Sequence, residues 1–87
     1  MLTGKTALIT GSSIGIGFSV AEKLASLGCN VVMNGIEDAA EITPKADELA
    51  ATHGIQATYD ACDVGNGDQL DRMIMSAMDA FGGIDIV

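Results

Sequence analysis

Residues 10–17, Thr10-Gly11-Ser12-Ser13-Ile14-Gly15-Ile16-Gly17, decide how this chain is read, because of what flanks them. Residues 6–10 form a short apolar and β-branched run that Gly11 closes, the pattern of a buried strand entering a turn. From Gly15 onward Ile16, Val20, Leu24 and Leu27 recur at helical spacing, with Ala21 and Ala25 beside them and Gly28 as the stop. A glycine-rich loop thus joins a strand to a helix whose apolar stripe is expected to face a sheet. Such a junction suits a diphosphate. The helix start supplies unpaired N–H donors and the positive end of the macrodipole, and glycine removes the side chain that blocks approach. Gly11 is expected to make the tight turn, Gly15 to allow contact with phosphate and Gly17 to let the helix lie against the sheet. Ser12 and Ser13 would add hydroxyl donors. The glycines stand as GxxxGxG, not as the GxGxxG fingerprint, so the strand before and the helix after carry the argument. No Gly-Lys-Ser/Thr follows, which excludes a P-loop.

Downstream the alternation continues. Residues 30–34 enclose Val31, Val32 and Met33, a second apolar strand that Gly35 breaks. Residues 38–53 are mostly Ala, Glu, Lys and Leu, with Gly54 as the stop. Asp38 and Glu41 have capping-box spacing, but Pro44 inside a helix would remove a hydrogen bond and clash with the preceding turn. The continuous helix is therefore placed from Thr43, with Pro44 at its first position. Residues 55–60 form a third strand, and Leu70, Met73, Ile74, Ala77, Met78 and Phe81 mark a third helix over 68–81. Ile84, Ile86 and Val87 begin a fourth strand. Strands alternating with helices predict an α/β fold, the N-terminal portion of a Rossmann-type doubly wound parallel sheet with right-handed crossovers.

The chain has 87 residues, which allows one small domain and excludes a second. Apolar residues make up 48 % and charged residues 18 %, a globular composition. Twelve acids against four bases give a net charge of −8, which disfavours nucleic acid and anionic membrane as partners. No signal-peptide pattern and no apolar run long enough to cross a bilayer is visible, so a cytoplasmic location is expected. Cys29 and Cys62 have neither CxxC spacing nor nearby histidine pairs and are read as reduced thiols in or near the core.

The loop TGSSIGIG resembles the TGxxxGIG loop of the short-chain dehydrogenase/reductase family, and the order of elements agrees over the whole chain. That resemblance implies a nicotinamide dinucleotide held by Gly11, Ser12, Ser13, Ile14, Gly15, Ile16 and Gly17. It implies that Asp63 accepts from the adenine amino group while the backbone of Val64 holds the ring. Asn34-Gly35, residues 38–42, Met1-Leu2, Gly4-Lys5 and His53-Gly54 together resemble the bacterial D-3-hydroxybutyrate dehydrogenases within that family. There the position of Ile36 commonly holds a Phe that packs on the adenosine; Ile36 keeps an apolar contact and loses the ring face. Pro44 departs from the pattern. In the family a Tyr base, a Lys, a Ser and an Asn carry the hydride transfer, and all four are expected beyond Val87. Tyr59, the only tyrosine, has no lysine four residues on. Residues 1–87 are accordingly expected to be the N-terminal part of a single dinucleotide-binding domain, ending before the catalytic half and inactive alone. The parent enzyme would oxidise a small secondary alcohol, D-3-hydroxybutyrate, as a homotetramer. Another short-chain reductase, such as a 3-oxoacyl reductase, and a non-catalytic nucleotide-binding module are the alternatives.

The expected cofactor is NAD. A 2′-phosphate lies near the end of the second strand and calls for Arg or Lys there or in the glycine loop, and neither place has one. Asn34, Gly35, Ile36, Glu37 and Asp38 would meet it instead. Like charges at roughly 6 Å and an effective dielectric near 20 repel by about 2–3 kcal/mol, a ~10–100-fold preference. The usual ribose-binding Asp is absent at the strand end, where Met33-Asn34-Gly35 stand instead. His53, in the last turn of a helix, is read as structural. Asp60 and Asp63 lack further metal ligands, and Met73, Met75 and Met78 are read as core filling and partly covered surface.

Overall fold

Hydrogen-bonded pairing sets the frame of the computed structural model, which describes residues 3–84. Strands β1 (Thr6–Ile9), β2 (Asn30–Asn34) and β3 (Ala57–Asp60) form a parallel sheet in the order β1-β2-β3, with Leu8 beside Val32 and Met33 beside Tyr59. Helices α1 (Gly15–Ser26), α2 (Ala39–His53) and α3 (Gly67–Phe81) connect and follow them. The α/β fold with a parallel, doubly wound sheet is as the sequence predicts. The expected fourth strand falls largely on residues 85–87, outside the described residues.

Side chains alternate across the sheet, and each face has its own core. Ile9, Val31, Met33, Ala57 and Tyr59 meet Ala21 and Ala25 of α1 and Ile42, Ala46 and Leu49 of α2 on one face. Leu8 and Val32 meet Cys62 and the α3 residues Met73 and Ala77 on the other. Covered on both sides, β2 carries the continuous apolar run Val31-Val32-Met33, since it has no solvent face. Both cysteines are buried and no disulfide joins them.

Two predicted details change. The stripe Ile16–Val20 does not carry α1 onto the sheet: Ile16 is 85 % and Val20 45 % exposed, while Ala21 and Ala25 are buried. At 100° per residue Phe18 and Ala25 lie roughly opposite Ile16 and Val20, and the small alanines permit the closer approach. Pro44 lies inside α2, which starts five residues before it with Asp38 as N-cap, the carboxylate accepting from the Ala40 amide at 3.4 Å. Pro44 removes the bond that would reach the Ala40 carbonyl, and both residues lie on the solvent-exposed side of the helix. The third strand is also shorter than residues 55–60, because Ile55 belongs to the turn after the left-handed Gly54.

Candidate functional site

The C-terminal ends of the three strands, where loops cross to the helices, are where open parallel sheets bind ligands. Residues 10–17 leave β1 there and turn into α1. Ile14 occupies the N-cap of α1 and supplies no side-chain hydrogen bond, and the first turn carries no acid. The amides of Gly15, Ile16 and Gly17 therefore have no intrahelical acceptor, and the helix points an unneutralised positive end outward. Gly15 has φ +66°, and a Cβ built on it meets nothing within 4 Å, so the mouth of the loop is open. Gly17 has a different task from the one expected. A Cβ there would overlap the carbonyl oxygen of Gly11 and lie 2.9 Å from Ser12 Cα, so its bareness lets α1 close on the loop itself, not on the sheet.

The serine hydroxyls do not point at the opening. Ser12 is buried; its Oγ donates to the Ile9 carbonyl at 2.7 Å and accepts from the Asn34 amide at 2.9 Å. Ser13 Oγ donates to Glu37 Oε1 at 2.6 Å. Both hydroxyls are thus engaged in internal bonds that shape the loop.

Asn34, which sequence reading passed over as a substitute for an acid, holds the site together. Its Oδ1 accepts from the Gly11 amide at 3.1 Å, and its Nδ2 donates to the carbonyls of Asp60 at 3.0 Å and Cys62 at 2.9 Å. The Asn34 carbonyl also accepts from the Ser12 amide at 2.7 Å. One side chain, 2 % exposed, thereby ties the end of β1 to the end of β3 across β2. The only sequence signal was a neutral amide directly after the apolar run Val31-Val32-Met33.

Beyond Asn34 the chain passes Gly35 and the exposed Ile36 to Glu37. The Ser13 hydroxyl holds the Glu37 carboxyl below its ordinary range, helped by the backbone amides of Glu37 and Ile36 and by the charge of Lys45. The Glu37 carbonyl accepts from the Tyr59 hydroxyl at 2.7 Å. Tyr59 itself is pushed up, first by burial and then by the neighbouring Glu37 carboxylate. Lys45 was not anticipated near the loop: its Nζ donates to the Ser13 carbonyl at 2.6 Å and lies 4.2 Å from the centre of the Phe18 ring. No spacing rule links residues 13 and 45; the packing of α2 beside α1 brings them together.

After β3, Asp63 is exposed. Its Oδ1 accepts from the Gly65 amide at 2.9 Å, and its own amide donates to Gln69 Oε1 at 3.0 Å. Val64 and Ile36 are both exposed apolar residues flanking this end of the sheet, one from each loop. Asp60 and Asp63 gather no third metal-ligating side chain among the described residues. His53 lies with Phe18, Glu22 and Glu48 along the outer groove between α1 and α2.

Comparison with known proteins places this arrangement among relatives. The profile of a family described as short chain dehydrogenase matches residues 5–87. A D-beta-hydroxybutyrate dehydrogenase from Cupriavidus necator is 41 % identical over 87 residues, all of this chain and 33 % of that protein. A metagenomic short-chain oxidoreductase in complex with NADP superimposes with a TM-score of 0.86 at 34 % identity, over 98 % of this chain and 38 % of that one. An NADPH-dependent 3-quinuclidinone reductase from Rhodotorula rubra gives a TM-score of 0.90 at 30 % identity, over 97 % of this chain and 31 % of the other. The chain spans about a third of the length of the curated relatives it matches. No helix among the described residues is long and apolar enough to cross a membrane.

Proposed function

The chain belongs to the short-chain dehydrogenase family, and from that premise we propose that it is the coenzyme-binding part of an NAD-dependent oxidoreductase acting on D-3-hydroxybutyrate. The observation that carries the coenzyme reading is the start of α1 at the end of β1, with no side-chain cap and with open space over Gly15. The residues fit a dinucleotide. The amides of residues 15–17 would receive the diphosphate, Ile36 and Val64 would flank the adenine, and the free edge of the Asp63 carboxylate would accept from its amino group. Ser12, Ser13 and Gly35 would serve as the packed floor beneath the phosphates, and Gly11 and Gly17 as the turn that lets the amides converge. Ile14 and Ile16 present apolar surface beside them.

A bound nicotinamide supplies the hydride acceptor; the chain's own residues supply binding and orientation. The Glu37 carboxylate beside the loop favours a ribose hydroxyl over a 2′-phosphate, which supports NAD. The substrate assignment rests on the Cupriavidus relative and on residues 34–42. A second reading, an NADP-dependent reductase such as a 3-oxoacyl reductase, draws support from Lys45 at the same loop and from the NADP and NADPH named for two structural relatives. The protein is further proposed to continue past Val87 into a catalytic half, to work in the cytoplasm and to assemble as a tetramer.

The test uses the intact gene product. Reduction of NAD+ on adding D-3-hydroxybutyrate, at a kcat/KM at least tenfold above that with NADP+, is the expected result. Turnover of 3-oxoacyl thioesters with NADPH, and none of hydroxybutyrate, would reject the proposal in favour of the second reading.

A further inference from the structure

We propose that Lys45 is a positioning residue for the coenzyme: from α2 it fixes the peptide between Ser13 and Ile14, and so sets the direction and strength of the Ile14 amide as a donor to the diphosphate. The proposal rests on residues 10–17 being the diphosphate loop. Both nicotinamide dinucleotides carry that diphosphate, so the effect falls on them alike.

The partner that Lys45 takes is the first observation. Four Lys and Arg residues stand against twelve acids in this chain, so a cation has carboxylates in excess. Glu41 lies four residues before Lys45 on α2 and Glu48 three after it, the spacings at which a helix pairs opposite charges. The ammonium instead donates to a neutral backbone oxygen, the Ser13 carbonyl, at 2.6 Å. The Phe18 ring, its centre 4.2 Å from Nζ, backs the ammonium from α1. Packing of the two helices, not charge pairing along α2, decides where this side chain goes.

The second observation is what the bond does to the loop. A trans peptide points its N–H opposite to its C=O, and the described chain contains no cis bond. With the Ser13 oxygen turned to Lys45, the Ile14 N–H faces the other way, and no acceptor among the described residues meets it. The next peptide is held too, because the Ile14 carbonyl accepts from the Phe18 amide at 3.4 Å. Ile14 is the N-cap of α1, so both peptide planes of the residue that opens the helix are fixed, one by Lys45 and one by the residue whose ring supports it. The Ser13 hydroxyl, bonded to Glu37, anchors the same turn from its other side.

Chemistry supplies the third step. An exposed carbonyl oxygen repels phosphate, and a cation bonded to that oxygen both masks it and polarises the peptide, which makes the N–H at its other end a stronger donor. The ammonium also brings positive charge to the loop of a chain that carries −8 overall.

The experiment compares the intact gene product with its Lys45→Met and Lys45→Arg variants. NADH binding is read from its fluorescence, and binding of adenosine, which lacks the phosphates, from its displacement of NADH. The ratio of the two dissociation constants within one preparation is independent of the fraction folded. Lys45→Met keeps an unbranched stem against Phe18 and removes the charge; it should weaken NADH about tenfold and adenosine less than about twofold. Lys45→Arg retains a cationic donor that stacks on a ring, and should bring NADH back to within about threefold of wild type. Should Lys45→Met not fold, Lys45→Gln takes its place with the same expectation. Equal weakening of both ligands, a change in NADH below about twofold, or no recovery in Lys45→Arg overturns this proposal and leaves the coenzyme site standing. Failure of NADH to bind wild type, or of adenosine to displace it, overturns the site reading, and this proposal with it.

Discussion

A single amide side chain sets the relative position of the two loops at this site. Asn34 exchanges bonds with Gly11, Asp60 and Cys62 while buried, so removing it leaves an N–H and two carbonyls without partners. Each unmet buried group costs about 1–3 kcal/mol, and partial hydration reduces the sum. Asn34→Ala should therefore lose about 2–4 kcal/mol in urea unfolding and weaken NAD+ binding about tenfold, since both loops are released. A loss under about 0.5 kcal/mol would show that the bonds are not limiting. Glu37 adds a pH signature. Its pKa lies below the ordinary carboxylate value in the folded state, because the ionised form accepts from Ser13. Its contribution is thus complete above about pH 4.5 and is lost as pH falls through the lower folded value. The urea midpoint of wild type should exceed that of Glu37→Gln at pH 6, and the two should converge as the solution is acidified below pH 4. Parallel curves down to acid pH would place the carboxylate away from Ser13.

At the scale of elements, α2 shows how a local rule yields to its surroundings. Pro44 suggests a helix start, yet the helix begins at the Asp38 cap, with Glu41 in its first turn where the dipole favours an acid. Buried Ile42, Ala46 and Leu49 span the proline and dock the helix on the sheet, offsetting the lost bond. Pro44→Ala restores an N–H for the Ala40 carbonyl and frees the unfolded chain, two effects of opposite sign. The first is larger. A gain of about 1–2 kcal/mol in chemical denaturation is expected, and a loss would mean that Pro44 itself holds α2 and Lys45 in place. In α1 the periodicity was legible but not its orientation, since two apolar flanks run along one helix and only packing selects between them.

For the whole molecule, apolar side chains left on the surface are the distinctive feature. Ile14, Ile16 and Val20 stand exposed at the start of α1 and along it. Apolar side chains exposed together invite association with another chain. The 87-residue polypeptide, produced alone, should self-associate at micromolar concentration in sedimentation velocity. A monomer that melts cooperatively would show that the three strands and their helices suffice.

The sequence by itself determined the alternation of strands and helices, the parallel doubly wound sheet, and the loop at which it opens. These follow from apolar periodicity and from glycines at element ends, which are local properties of a chain. Only the tertiary structure decided which face of α1 is buried, that the loop hydroxyls turn inward, and that Asn34, Glu37, Tyr59 and Lys45 converge on it. Those residues are separated by up to 32 positions from their partners, as Ser13 is from Lys45. Hydrogen bonds between side chains and distant backbone leave no period in a sequence, because they depend on how two helices lie side by side on a shared sheet.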